Sequence, residues 1–296
     1  MTNIQTPQIL PEVCIGLPQW QHGRWPTTWF GHSKGTSLGR YATQLNSVEG
    51  NTTFYHLPTP DTVLTWHKST PAAFRFTFKF HRSISHEGRL SQNIPMACQQ
   101  LTLLSSLEEK LGLVMLQLPA SFGPAGLAEL DTFLAGLPKA FRYAVEVRHL
   151  AFFAKGDDEK ALNRCLMRHN VNRVIMDTRA LFSGPVDCEL TAEVRTKKPR
   201  VPVNVIATAD QPVMRFVGNN DDSDNEACLQ PWVTKCHQWR QQGKTCFLFF
   251  HRPDNQDAPW LAQQFIRLYN SQFTEHALPL LSFNPEQTDT AQSSLF

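Results

Sequence analysis

The chain reads as a single α/β domain, a (β/α)₈ barrel with some irregularity expected around strands six to eight. Three observations predict it. Eight apolar, β-branched or aromatic runs of strand length recur along the 296 residues. Their starts lie roughly 28 to 40 residues apart, enough for a strand, a crossover helix and two loops. No G-x-G-x-x-G follows the first run, as an open dinucleotide-binding sheet would want, and eight units suit the size of a barrel.

The strands are expected at Val13–Gly16, Ser47–Asn51, Phe74–Phe80, Leu113–Leu118, Tyr143–Arg148, Arg173–Asp177, Val213–Val217 and Thr245–His251. Between them, Thr59 and Pro60 read as N-cap and N1 of a helix. Leu101, Leu104, Leu107 and Leu111 recur at helical spacing, as do Leu127, Leu130, Phe133, Leu134 and Leu137. Ala161, Leu162, Cys165, Leu166 and His169 mark another helix, and Leu261, Phe265, Leu268 and Tyr269 the last. Residues 179–211 show no convincing helix, so their prolines and RTKKPR run suggest a long sixth loop, solvated or partly covering the barrel mouth. The acidic run at 221–226 reads as a solvated loop leading into a helix over about 226–242.

Composition narrows the class of function. With 41% hydrophobic and 18% charged residues, the chain can bury a large core. Its net charge of +2, from 28 basic and 26 acidic residues, creates no global field for nucleic acid or membrane. No run approaches the ~20 apolar residues of a membrane span, and the N-terminus lacks a secretory pattern. Seven scattered cysteines without a C-x-x-C pair read as core thiols in a reducing, cytoplasmic setting.

In such a barrel the active site is built at the C-terminal ends of the strands, whereas strand centres carry apolar side chains. Polar residues collect at those ends: Glu49 and Asn51, Lys79, Gln117, Glu146 and Arg148, Asp177, Arg215 and His251. One or two such residues would merely mark where a strand reaches water; seven successive strand ends point to a functional mouth. Glu49, Glu146 and Asp177 are the candidates for acid–base catalysis. Lys79, Arg148 and Arg215 would clamp the anionic group of a small phosphorylated or sugar-like substrate. No cofactor is expected. A divalent metal on the carboxylates and His251 is the minority reading, because those fixed cations would compete with it. Trp20, Trp25 and Trp29 after the first strand could wall the site or simply pack over the barrel top.

The block from Leu45 to Leu90, LNSVEGNTTFYHLPTPDTVLTWHKSTPAAFRFTFKFHRSISHEGRL, resembles the YecE-like family, domain of unknown function 72. LGLVMLQLPASF at 111–122, YAVEVRH at 143–149 and IMDT at 175–178 carry the resemblance further, to about residue 270. It implies a (β/α)₈ barrel with mouth residues at Glu49, Asn51, Lys79, His86, Gln117, Glu146, Arg148, His149, Asp177 and Arg215. Trp20, after the first strand, and His251, at the end of the last, join them at two places where the chain departs from the family pattern. The barrel is expected over 1–275 and a flexible tail over 276–296. The tail ends in Gln292-Ser293-Ser294-Leu295-Phe296, which resembles the Q-x-[SD]-L-F peptide that binds the bacterial sliding clamp. There Leu295 and Phe296 would fill an apolar pocket and Gln292 would set the register. Two functions follow: an enzyme acting on a small anionic or nucleotide ligand, and a clamp-tethered DNA-maintenance factor.

Overall fold

A computed structural model describes residues 10–25, 35–186 and 188–282. Eight parallel strands form one sheet: β1 Val13–Gly16, β2 Ser47–Gly50, β3 Arg75–Lys79, β4 Leu111–Gln117, β5 Tyr143–Glu146, β6 Asn172–Asp177, β7 Val213–Val217 and β8 Cys246–His251. Seven neighbouring pairs make ladders, from β2–β3 round to β8–β1. The barrel and all eight strands stand where the apolar runs put them, to within two residues at either end.

The remaining seam, β1 against β2, is closed largely by side chains. The Asn46 amide donates to Val13 O at 2.9 Å and accepts from Ile15 N at 2.8 Å, standing in for a strand rung. Beyond it the buried Tyr41 hydroxyl accepts from Leu17 N and donates to Ser47 O. One backbone bond, Glu49 N to Leu17 O at 2.9 Å, completes the closure. The approach is tight enough to require glycine at 16, since a Cβ there would lie 2.5 Å from Ser47 O. The β5–β6 pair is the weakest ladder, with two registered positions. Asn172 reinforces it by donating to Tyr143 O and accepting from Gln211 N.

Alternation along each strand separates two cores. Cys14, Leu113, Met115, Ala144, Val174, Val213, Phe247 and Phe249 fill the barrel axis. Val48, Phe76, Phe78, Val145, Ile175, Phe216 and Phe250 face the helices. The predicted helices form with small boundary shifts, including Pro60–Lys68, where the Thr59 hydroxyl accepts from Thr62 N. Among the described residues, no helix is long and apolar enough to cross a membrane.

Three expectations change. Within 179–211 lie a short helix, Arg179–Phe182, and a longer one, Glu189–Lys197, whose weak apolar stripe conceals it. Arg195 fastens this segment, its guanidinium bonded to Leu181 O and Ser183 O. The acidic run at 221–226 is no loop: Asp221 caps the helix Asp222–Gln241, accepting from Ser223 N and Asp224 N. Finally, packed chain continues past 275. Leu278 and Leu281 are buried against the last helix, and Asn270 holds the Leu278 backbone at both N and O. The rest of the proposed tail, with Gln292, Leu295 and Phe296, lies outside the described residues, as does Trp29.

The seam can be tested directly. Asn46→Leu keeps volume but leaves Ile15 N and Val13 O unpaired, and should cost about 2 kcal/mol in chemical denaturation. A loss below about 0.5 kcal/mol would mean that water or the backbone closes the seam without the amide.

Candidate active site at the barrel mouth

Above the apolar floor, six strands contribute one buried ionic cluster. Glu49 from β2 is fully buried, and Glu146 from β5 nearly so. Arg215 from β7 lies between them, Nε 2.8 Å from Glu49 Oε2 and Nη1 2.5 Å from Glu146 Oε2. Lys79 from β3 stands 3.6 Å from Glu49 Oε1 and donates to Gln117 Oε1 from β4 at 2.6 Å. Its ammonium also sits 5.7 Å over the Phe54 ring. His251 from β8 places Nε2 3.4 Å from Glu49 Oε2. Arg148, beyond the end of β5 and 29% exposed, binds Glu146 Oε1 through Nε and Nη2 at 2.9 Å.

The electrostatics follow from burial and neighbours. Burial alone would push the Glu49 carboxyl up, but Arg215, Lys79 and His251 outweigh it and hold it well below the usual carboxylate range. The same contest leaves Glu146 at about 2, with Arg215, Lys79 and Arg148 on the winning side. Both carboxylates are therefore ionised at neutral pH. Burial lowers His251 to about 4 against the pull of Glu49, so its imidazole is neutral. Burial and Arg215 together depress Lys79.

Lys198, half-buried just after the helix Glu189–Lys197, joins this field. Burial and Arg215 lower its ammonium to about 8, although Glu146 and Glu49 oppose them. The sixth segment is tied to the barrel beside it, where Thr178 Oγ1 donates to Pro199 O at 3.0 Å. Sequence reasoning missed Lys198 because it belongs to no strand; only the fold of the sixth segment brings it in. The RTKKPR run was the available signal.

The cluster is incompletely satisfied. Neither Glu49 oxygen receives a well-directed hydrogen bond, and Arg215 Nε and His251 Nε2 likewise lack one. Arg215 Nε is close to Glu49 without lining up along its N–H direction. These four atoms face one another as ion-pair neighbours, Arg215 Nε 2.8 Å and His251 Nε2 3.4 Å from Glu49 Oε2, so charge more than directed hydrogen bonding holds them.

Several predicted residues fall elsewhere. Asp177 is not in the mouth. Val174 faces the axis, so period two turns Asp177 outward, where Arg179 binds both its oxygens and Trp232 Nε1 donates at 2.7 Å. It is a fully paired carboxylate between the sheet and the helix Asp222–Gln241. His149 caps a short 3₁₀ turn, its Nδ1 accepting from Ala151 N. His86 stands exposed at the rim, edge-on to Phe54 at 5.3 Å, its pKa lowered by burial and by Arg148. Asn51 leaves the strand path and ties Pro18 O to Glu49 O. With Trp20 and Tyr55 it lines a groove of about 290 Å³ beside the mouth. Trp25 is buried instead, its Nε1 donating to Gln256 O at 2.8 Å.

Arg215 anchors two buried anions, so Arg215→Met should cost about 3–5 kcal/mol near neutral pH. The sign with pH is specific. In the wild type Glu146 lies below its ordinary value of 4.5, so its contribution is full above that value and lost as pH falls towards about 2. Without Arg215 the stranded carboxylates rise above their unfolded values, and protonation relieves them. The deficit should therefore shrink between about pH 7 and pH 4.5, measured by urea denaturation. A pH-independent deficit would count against the pairing.

The family model described as protein of unknown function DUF72 matches residues 14–287. Over 249 residues the chain is 45% identical to UPF0759 protein YecE of Escherichia coli K12, covering 84% of this chain and 89% of that protein. The counterpart in Escherichia coli O157:H7 is 44% identical over the same length. Among solved structures, a DUF72 protein of Enterococcus faecalis V583 superposes with TM-score 0.68 at 20% identity, over 87% of this chain and 95% of that one. One from Thermotoga maritima MSB8 reaches 0.65, also at 20% identity, over 87% and 98%. At that identity the likeness speaks for the fold alone. The family match spans the chain from its first strand to beyond its last helix, and with the YecE identity it makes this barrel a member of the DUF72, or YecE-like, family.

Proposed function

We propose that the barrel mouth binds a small anionic ligand, phosphorylated or sugar-acid-like, and moves a proton on it. The observation that carries this reading is the unbalanced charge of the cluster: Lys79, Arg148, Lys198 and Arg215 surround two carboxylates. Arg148 and Lys198 are the cations most accessible to a ligand. Lys198 makes no ion pair among the described residues, and Arg148 keeps one face towards solvent.

Glu49 is the favoured proton acceptor. Glu146 has both oxygens bound by guanidinium groups, whereas neither Glu49 oxygen receives a directed hydrogen bond. A bound phosphate or carboxylate would draw on the same cations and so raise Glu49 towards a useful basicity. Lys198, with its ammonium near neutrality, is placed to return a proton. Neutral His251 stands 3.4 Å from Glu49, and the groove of Trp20, Asn51 and Tyr55 offers an apolar and amide wall for the rest of the ligand. Asp177 takes no part.

A second reading rests on the QSSLF ending: the chain is tethered to the bacterial sliding clamp, and the cationic mouth receives a nucleotide or a DNA phosphate. The two readings are compatible, since one concerns the mouth and the other its delivery.

A panel of inorganic phosphate, sugar phosphates, sugar acids and nucleoside monophosphates should raise the melting temperature of the wild type for at least one class. Arg148→Gln and Lys198→Gln should abolish that shift, and Lys198→Gln, which breaks no ion pair among the described residues, should change ligand-free melting little; ligand shifts preserved in both variants would sink the mouth reading. For the tail, removal of residues 292–296 should end clamp pull-down and leave barrel melting unchanged. Capture that survives the truncation would rule out the peptide.

A further inference from the structure

On the outer face of the barrel, far from the mouth in the fold, the helices Leu127–Gly136 and Asp157–His169 bring a carboxylate, a thiol and an imidazole together. We propose that Asp131, Cys165 and His169 form a binding site for a divalent cation of borderline softness, of the zinc class. Their ligand atoms all lie within 4.8 Å of one another. Cys165 and His169 are four residues apart, on one face of their helix, and Asp131 meets them from its neighbour. Cys165 Sγ lies 3.7 Å and His169 Nε2 2.6 Å from Asp131 Oδ1. Two ligands on a tetrahedral zinc ion stand roughly 3.5 Å apart, so the thiol is already in range and the imidazole needs to retreat by about 1 Å.

The chemistry of the set selects the ion. A thiol and an imidazole disfavour magnesium and calcium, which take oxygen ligands. Asp131, 43% exposed, opens the site to a water as fourth ligand. The site lies in the last turn of a 13-residue helix, whose carbonyl end favours positive charge. Arg168 already exploits the same position, with Nη2 2.6 Å from Asp131 Oδ1. At 60% exposure its guanidinium can swing into water, leaving both Asp131 oxygens to the ion. Burial keeps the Cys165 thiol protonated. Binding therefore forms a sulfur–metal bond as the thiol proton leaves to solvent, while the imidazole proton moves to Nδ1 and frees Nε2.

The test uses the full chain, stripped of metal and without an affinity tag. Cobalt(II) should bind one to one and produce a thiolate-to-metal charge-transfer band, and zinc should displace it. Cys165→Ser should lose the band. Should that buried substitution unfold the helix pair, Asp131→Asn at the exposed position should still fold and weaken zinc binding roughly tenfold or more. Absence of the band, its survival in Cys165→Ser, or unchanged affinity in a folded Asp131→Asn would each overturn the site and leave Asp131, His169 and Arg168 as an ion-pair network.

Discussion

Arg215 is the interaction on which the upper half of this barrel depends. Its guanidinium crosses the axis from β7 to join Glu49 on β2 and Glu146 on β5. Without it two carboxylates would be stranded in a space with almost no contact with water, a penalty of several kcal/mol each. Lys79, Arg148, Gln117 and His251 then take positions dictated by those two anions, and six strands become mutually constrained at their C-terminal ends. A ligand that competes for Arg215 or Lys79 would change the protonation of Glu49 at the same time. In the proposed function, binding and proton transfer would thereby be coupled through shared cations.

Beneath this layer the axis is filled by Leu113, Met115, Val174, Val213, Phe247 and Phe249, and the apolar floor keeps the dielectric around the cluster low. The division of labour is spatial: apolar packing holds the barrel, and the mouth carries the buried charges. Closure of the barrel uses polar side chains too. Asn46 and Tyr41 bridge β1 and β2 where backbone pairing is sparse, which sets the first loop, with Trp20, beside Asn51.

Much of this was legible in the residues. The eight apolar runs located every strand, and polar residues at the strand ends located Glu49, Lys79, Gln117, Glu146, Arg148, Arg215 and His251. The failures have particular causes. Asp177 ends its strand as the mouth residues do, but alternation places it on the face opposite Val174, where Arg179 and Trp232 meet it. The helix Glu189–Lys197 escaped notice because charged residues blur its stripe, and with it went Lys198. The acidic run at 221–226 reads as solvated, although an Asp at an N-cap and acids in the first turn are favourable helix starts.

The amino-acid sequence by itself determined the number, order and alternation of the strands, since periodicity is a local property that burial rewards wherever the chain folds. Only the tertiary structure decided which alternate face looks inward, which cations pair with which carboxylates, and where the sixth segment lies. Those outcomes depend on groups far apart in sequence. Glu49 meets Arg215, and Asp131 meets Cys165 and His169, because the closed barrel sets the angles between its elements, and no local pattern encodes those angles.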